Sequence, residues 1–190
     1  MRRWSLGVII FMAFISGAAA PACARAIAGL QFADTLHVQE TRFTLNGVAS
    51  YKKFGFPVLV AALWLAHAER DPGRILIEDM PRRYVTHFQR GVSSRRICRA
   101  WNEGLDANSP GASGEVKQQF QTLCLWIHDF RSGDEIAVTY FPGRGSLVEL
   151  DGRRVGEIPG KGFADAYFAC ALGPSPSLGK GFKKALLGGS

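Results

Sequence analysis

From Val38 onward the hydrophobic spacing switches between two periods. In "QETRFTLNGVASYKK" Phe43 and Leu45 alternate with Arg42 and Thr44, the period of a half-buried strand. Asn46-Gly47 is a strong two-residue hairpin signal, so a turn is expected there. In the returning arm, Val48, Ser50 and Lys52 fall on one face, and Ala49, Tyr51 and Lys53 on the other. That arm leads into "FGFPVLVAALWLAHA", Phe54 to Ala68, which is almost wholly apolar. The run is too short to span a bilayer. Its β-branched and aromatic residues suit a strand, either covered on both faces or lining a cavity with one. Pro57 is then expected at a bulge or a break in the ladder. A core helix is the alternative.

Asp71-Pro72 reads as an N-cap followed by proline at the first helical position, hence a short helix. "PRRYVTHFQRGV" alternates again: Arg83, Val85, His87 and Gln89 oppose Tyr84, Thr86, Phe88 and Arg90. Ile97, Trp101 and Leu105 recur every four residues, with Cys98 beside them, which predicts a helix. A second helix is expected over 114–130, with Val116, Phe120, Leu123, Cys124 and Ile127 inward. "GDEIAVTYFPGRGSLVELDGRRVGEI" reads as three short strands turned at Pro142-Gly143 and Asp151-Gly152. Two more helices follow, one with Phe163, Tyr167 and Cys170 inward, the other with Leu178, Phe182 and Leu186 inward and Gly188 as its stop. Strands, a helix pair, strands and a helix pair argue for an α+β fold, an antiparallel sheet with helices laid on it.

The first residues have a different logic. Arg2 and Arg3 precede an apolar stretch from Ser5 to Gly17, and Ala22-Cys23-Ala24 fits a cleavage site before Arg25. Residues 1–24 thus read as a secretory signal peptide, leaving one domain over 25–190. The first residues of that domain, 25–37, are small and apolar and expected to be poorly ordered. Export implies a periplasmic location and no transmembrane span in the mature chain.

The sequence carries 23 Lys+Arg against 16 Asp+Glu, and loss of Arg2 and Arg3 leaves 21 against 16, or about +5. The basic residues occur in short groups: Arg82-Arg83, Arg95-Arg96, Arg153-Arg154 and Lys183-Lys184. In an exported protein this points away from nucleic acid. It suits solubility, anionic ligands or peripheral contact with a membrane surface. Cys98, Cys124 and Cys170 remain after cleavage. One disulfide is compatible with export, but the plainer reading is three small residues buried on helix faces. No metal-ligand spacing, nucleophile motif, phosphate loop or cofactor fingerprint occurs.

Taken together, "FTLNGVASYKKFGFPVLVAALWL", "VTHFQRGVSSRRICRAWNEGL" and "FRSGDEIAVTYFPGRGSLVELDGRRVGEIPGKGFADAYFACALGPSPS" resemble the bacterial chalcone isomerase-like proteins, over roughly residues 38–188. The resemblance implies an open-faced β-sandwich, a large antiparallel sheet layered with helices, with Phe54–Leu65 as a central strand. It also implies a cleft between sheet and helices for an apolar small molecule, a flavonoid precursor or a fatty acid in plant relatives. The plant isomerases carry an Arg before the apolar strand, a Thr within it, and Tyr, Lys and Asn on the helical side. Here the hairpin reads Asn46-Gly47-Val48-Ala49-Ser50, Val58-Leu59-Val60 has no hydroxyl, and Asn102 and Asn108 lie outside any such set.

No catalytic residue is therefore assigned. Tyr51 and Lys53 share a strand face beside the apolar run, which suits a phenol and an ammonium meeting a carboxylate together; the alternative is that both are rim or surface residues. Trp101 is expected either to roof the cleft from its helix or to sit in the core as part of its helical stripe, and Tyr140 of the "AVTYF" strand either to line the same cleft or to pack. His87 reads as a surface or internally satisfied histidine. The expectation is a non-catalytic binder or carrier of a hydrophobic or amphiphilic small molecule. An intramolecular lyase and an envelope protein-interaction module are the alternatives.

Overall fold

A computed structural model of the chain describes residues 24–189. Of the signal peptide expected over residues 1–24, residues 1–23 lie outside the described residues. A hairpin of β1 (Ala24–Ile27) and β2 (Leu30–Ala33) opens the structure. This stretch was expected to be poorly ordered. It is held instead by Phe32, packed into the sheet beside Trp64, whose Nε1 donates to the Ala33 carbonyl at 3.0 Å.

β3 (Thr35–Val38), β4 (Thr41–Lys53), β5 (Phe56–Leu65), β6 (Arg82–Phe88), β7 (Glu135–Phe141), β8 (Gly145–Leu150) and β9 (Arg153–Ile158) follow. They form one curled seven-stranded antiparallel sheet in sequence order. α1 (Pro72–Ile77) joins β5 to β6, α2 (Ser94–Asn108) and α3 (Gly114–Trp126) join β6 to β7, and α4 (Lys161–Leu172) and α5 (Lys180–Leu186) end the chain. The apolar run is thus an interior strand, β5, buried from Val60 to Leu65. Asp71 caps α1 through Gly73 N, as its position before Pro72 predicted. α3 stops at Trp126, short of the expected Phe130, because Ile127 is extended and Phe130 instead pairs with Val92 across an isolated bridge.

Each face of the sheet has its own core. Ala61, Leu63, Tyr84, Phe88, Ile136 and Val138 meet the helices. Val60, Ala62, Trp64, Val85, Ala137 and Leu147 face the other way, onto the β1–β2 hairpin. The period of two along β5 and β6 sorts these sets.

Asn46-Gly47 is not a turn. It sits inside β4, where the pairing shifts register between Leu45 and Gly47. The extra residue moves Phe43 and Val48 onto one face and Ala49 and Tyr51 onto the other. Two contacts explain the bulge. Asn46 Nδ2 donates to the Leu186 carbonyl and its Oδ1 accepts from Glu69 N. A Cβ on Gly47 would collide with the backbone of Ala185 and Leu186, so only glycine lets α5 end there. The turn falls instead at Phe54-Gly55, with φ of 53° and 81°. A second register shift, between Tyr51 and Lys52, occurs where Lys52 pairs with Pro57, as the proline foretold.

α2 and α3 are tied by a Cys98–Cys124 disulfide, with Cα atoms 5.7 Å apart. This corrects the plainer reading of those two cysteines: helical spacing shows which face each occupies but not which helix lies opposite. Cys170 is buried and free.

Candidate functional site

β5, β6 and β7 present Leu59, Phe88 and Ile136 toward the helices, while α2 and α4 stand off from them and leave a cavity of about 350 Å³. That is within the range of small-molecule sites, roughly 300–1,000 Å³. Its walls are apolar: Ile97 and Trp101 of α2, Phe168 and Ala171 of α4, and Leu178 of the following loop. Trp101 packs against Tyr167 with ring centroids 5.8 Å apart, so the roof is held by an aromatic contact rather than closed onto the sheet.

The deepest polar groups are neutral. Burial raises the Tyr84 phenol well above the ordinary tyrosine range, the nearby Thr86 hydroxyl pulling weakly the other way. Burial also raises Tyr167, and pushes the Cys170 thiol up to about 12. These groups hydrogen-bond or pack at neutral pH but supply neither thiolate nor phenolate.

The mouth differs from the floor. Lys53 from β4, Arg90 after β6, and Arg96 and Arg99 from α2 line it, with Glu103 as the acid among the lining residues. The three arginines are exposed. An apolar chamber under a cationic rim is the geometry of a site for an amphiphile with an anionic head. A second, more open groove near the C-terminus, lined by Arg70, Lys180, Lys183 and two prolines, lacks such apolar depth.

Three of the four residues singled out from the sequence meet here: Tyr51 and Lys53 on one strand face, and Trp101 opposite. Tyr140 does not. It is 1% exposed, and its hydroxyl donates to Asp79 at 2.6 Å. Its ring lies 5.0 Å from the guanidinium carbon of Arg82, at the other end of the sheet face. Alternation along β7 identifies its face correctly but not its distance along the strand from the cavity. His87 faces the opposite core, with Nδ1 3.1 Å from Glu135 and its ring against Phe32. It is an internally satisfied histidine, as its pattern suggested. Burial, working against the Glu135 charge, keeps its pKa below the ordinary value.

Arg96, Arg99, Ala100 and Glu103 of the rim follow the i, i+3, i+4, i+7 spacing of one helix stripe. It lies next to the Ile97, Trp101, Leu105 stripe, and this was the signal from which they were readable. Arg90 carried no such signal, because it reaches the mouth only through the bend after β6. Among the described residues no cluster of three or more His, Cys, Asp or Glu side chains is placed to hold a metal ion.

A single meandering sheet is curled under helices, with an apolar chamber between the layers. The chain belongs to the chalcone isomerase-like family, whose model matches residues 24–188. Among solved structures it is similar to the fatty-acid binding protein AtFAP1 of Arabidopsis thaliana. The TM-score is 0.68 at 14% identity, over 86% of this chain and 95% of the plant protein. No curated protein sequence matches the chain.

Proposed function

We propose that this protein is a non-catalytic binder or carrier of a hydrophobic small molecule with an anionic head, a long-chain fatty acid being the first class to test. The observation that carries this reading is the 350 Å³ apolar cavity with Lys53, Arg90, Arg96 and Arg99 at its mouth. The tail occupies the chamber under Trp101 and the carboxylate meets the rim, with Tyr51 and Lys53 contributing a phenol and an ammonium from the strand side. The shared fold with a plant fatty-acid binding protein supports the same class. An intramolecular lyase would need a buried charge or a cluster of hydroxyls aimed at a developing phenolate. Tyr84, Thr86 and Tyr167 do bring neutral hydroxyls to the lining, so the binding reading rests on the apolar walls and the cationic rim rather than on any lack of donors.

The protein is proposed to act after export, in the periplasm. The support is the N-terminal pattern of Arg2-Arg3, apolar stretch and small residues, together with the Cys98–Cys124 disulfide, which persists in oxidising compartments.

Native mass spectrometry of the purified protein, followed by organic extraction, tests the binding. A stoichiometric amphiphile, with retention lowered by Tyr51→Phe combined with Lys53→Ala, is the expected result. A clean apo mass that takes up neither added fatty acids nor flavonoids overturns the carrier reading and favours a protein partner.

A further inference from the structure

Five large hydrophobic side chains stand out in solvent among the described residues: Phe54, Phe56, Ile77, Leu125 and Val155. Three are solitary, which is ordinary for a protein surface. Phe54 and Phe56 are not. They share the tip of the β4–β5 hairpin, 88% and 67% exposed, with Pro57 exposed beside them.

The backbone at this tip makes the pair harder to dismiss. Phe54 has a φ of 53°, in the left-handed region. Glycine, asparagine and aspartate are at ease in such hairpin turns, and a bulky side chain is not. Within the protein, the Phe54 ring is approached by the Lys53 ammonium, 5.6 Å from its centroid. No core packing offsets the strain. A strained, exposed aromatic with no internal compensation points to a role outside the fold.

The surroundings say what covers it. Lys52 and Lys53 precede the turn, and Arg90, Arg96 and Arg99 stand around the adjacent cavity mouth, with Glu103 as the acid of that lining. Aromatic rings settle at the boundary between headgroups and acyl chains, while lysine and arginine reach for anionic headgroups. Two phenylalanines in a tight turn backed by a cationic rim are complementary to that layered surface. A soluble partner would need an acidic collar around an apolar socket.

We propose that the β4–β5 hairpin tip docks the protein onto anionic phospholipid bilayers. Phe54 and Phe56 enter the interface, and Lys52 and the arginines lie against the headgroups. Lys53 and Val58, on either side of the tip, both line the cavity. Docking therefore brings the cavity mouth to the membrane surface. The docking does not depend on what fills the cavity; passage of a ligand between membrane and cavity rests on the carrier reading.

The test uses the chain from Arg25 onward, which holds both cores and leaves out the N-terminal apolar stretch. Co-sedimentation is measured with phosphatidylcholine vesicles, with and without phosphatidylglycerol. Binding is expected only with the anionic lipid and is weakened by salt. Phe54→Asn with Phe56→Ser should lower vesicle affinity at least tenfold while leaving the fold intact, since asparagine suits the left-handed position. Phe54→Trp should show a blue-shifted emission on anionic vesicles. Equal sedimentation of the wild-type and double-variant proteins overturns the proposal, as does no sedimentation of either. Concentration-dependent dimers that the double variant abolishes, without vesicle binding, would overturn it in favour of a second copy of the chain. Ligand retention by the double variant, read by native mass spectrometry, separates the two claims. Retained ligand with lost vesicle binding supports both; vesicle binding by a protein that never holds a ligand supports docking alone.

Discussion

β5, β6 and β7 run beneath two different roofs. Near Leu65, Arg82 and Tyr140, which lie side by side across the three strands, α1 and α4 close directly onto the sheet. There Arg82 is fully buried. It donates to the Ile75 carbonyl at 2.8 Å and to Asp165 at 2.7 Å, and lies between the rings of Tyr140 and Phe168. Lys161 reaches the other Asp165 oxygen at 2.7 Å. Near Leu59, Phe88 and Ile136, α2 and α4 stand off and leave the cavity, whose cations sit at the rim in water. Desolvation explains the contrast. A cation sealed from water must be matched on the spot by carboxylate, carbonyl and ring, whereas a solvated one stays available for a ligand or a surface.

The contrast is broken most severely at the closed end. Asp165→Ala strands the Arg82 charge and should cost roughly 3–5 kcal/mol in urea unfolding. It should leave ligand stoichiometry per folded molecule unchanged. Adding Arg82→Met should restore much of the loss, because the buried charge goes with its partner. Failure of the second substitution to help would mean that Arg82 matters more through its rings and the Ile75 carbonyl than through its charge.

At the open end the roof is stapled as well as packed. Replacing Cys98 and Cys124 by alanine frees a loop of sequence separation 26 and should lower stability by roughly 3 kcal/mol. Reductant should reproduce the effect in the wild-type protein and leave the alanine variant unmoved. Because α2 carries Trp101, Arg96 and Arg99, ligand retention should fall with it.

Ala100→Phe separates cavity from fold. The side chain points into space rather than into a filled core, so stability should shift by no more than about 1 kcal/mol. Retention of an amphiphile should drop at least tenfold by native mass spectrometry. A large destabilisation would show that the chamber collapses in solution.

The smallest effect is on the opposite face. Burial lowers the folded pKa of His87 below that of the unfolded chain, about 6.5. The unfolded state therefore binds more protons as pH falls, and stability present above about 6.5 declines toward the folded pKa. His87→Gln should flatten that slope in urea titrations between neutral and mildly acid pH. The cavity, on the other side of β6, should bind its ligand as before.

How much of this was readable beforehand differs by kind of interaction. The period of two over Arg83–Arg90 separated Tyr84 and Phe88 from Val85 and His87 correctly, and the helical stripes of Ile97/Trp101/Leu105 and Phe163/Tyr167/Cys170 identified the packed faces of α2 and α4. Tyr51, Lys53 and Trp101 came together because two neighbouring patterns, a strand face and a helix stripe, happened to oppose each other. Tyr140 shared the right face and still missed the cavity.

Sequence by itself determined most of the helices, the strands from β5 to β9 and the α+β class, because these depend on neighbours within a few residues; β1 to β3 carried no such pattern. Tertiary structure alone decided that Asn46-Gly47 is the seat of α5 rather than a hairpin turn, since its partners Leu186 and Glu69 lie 140 and 23 residues away. It likewise decided that Cys98 faces Cys124, that Arg82 is sealed while Arg96 is free, and that a cavity remains under α2. Each of those depends on distances between elements remote in the chain, which no local period records.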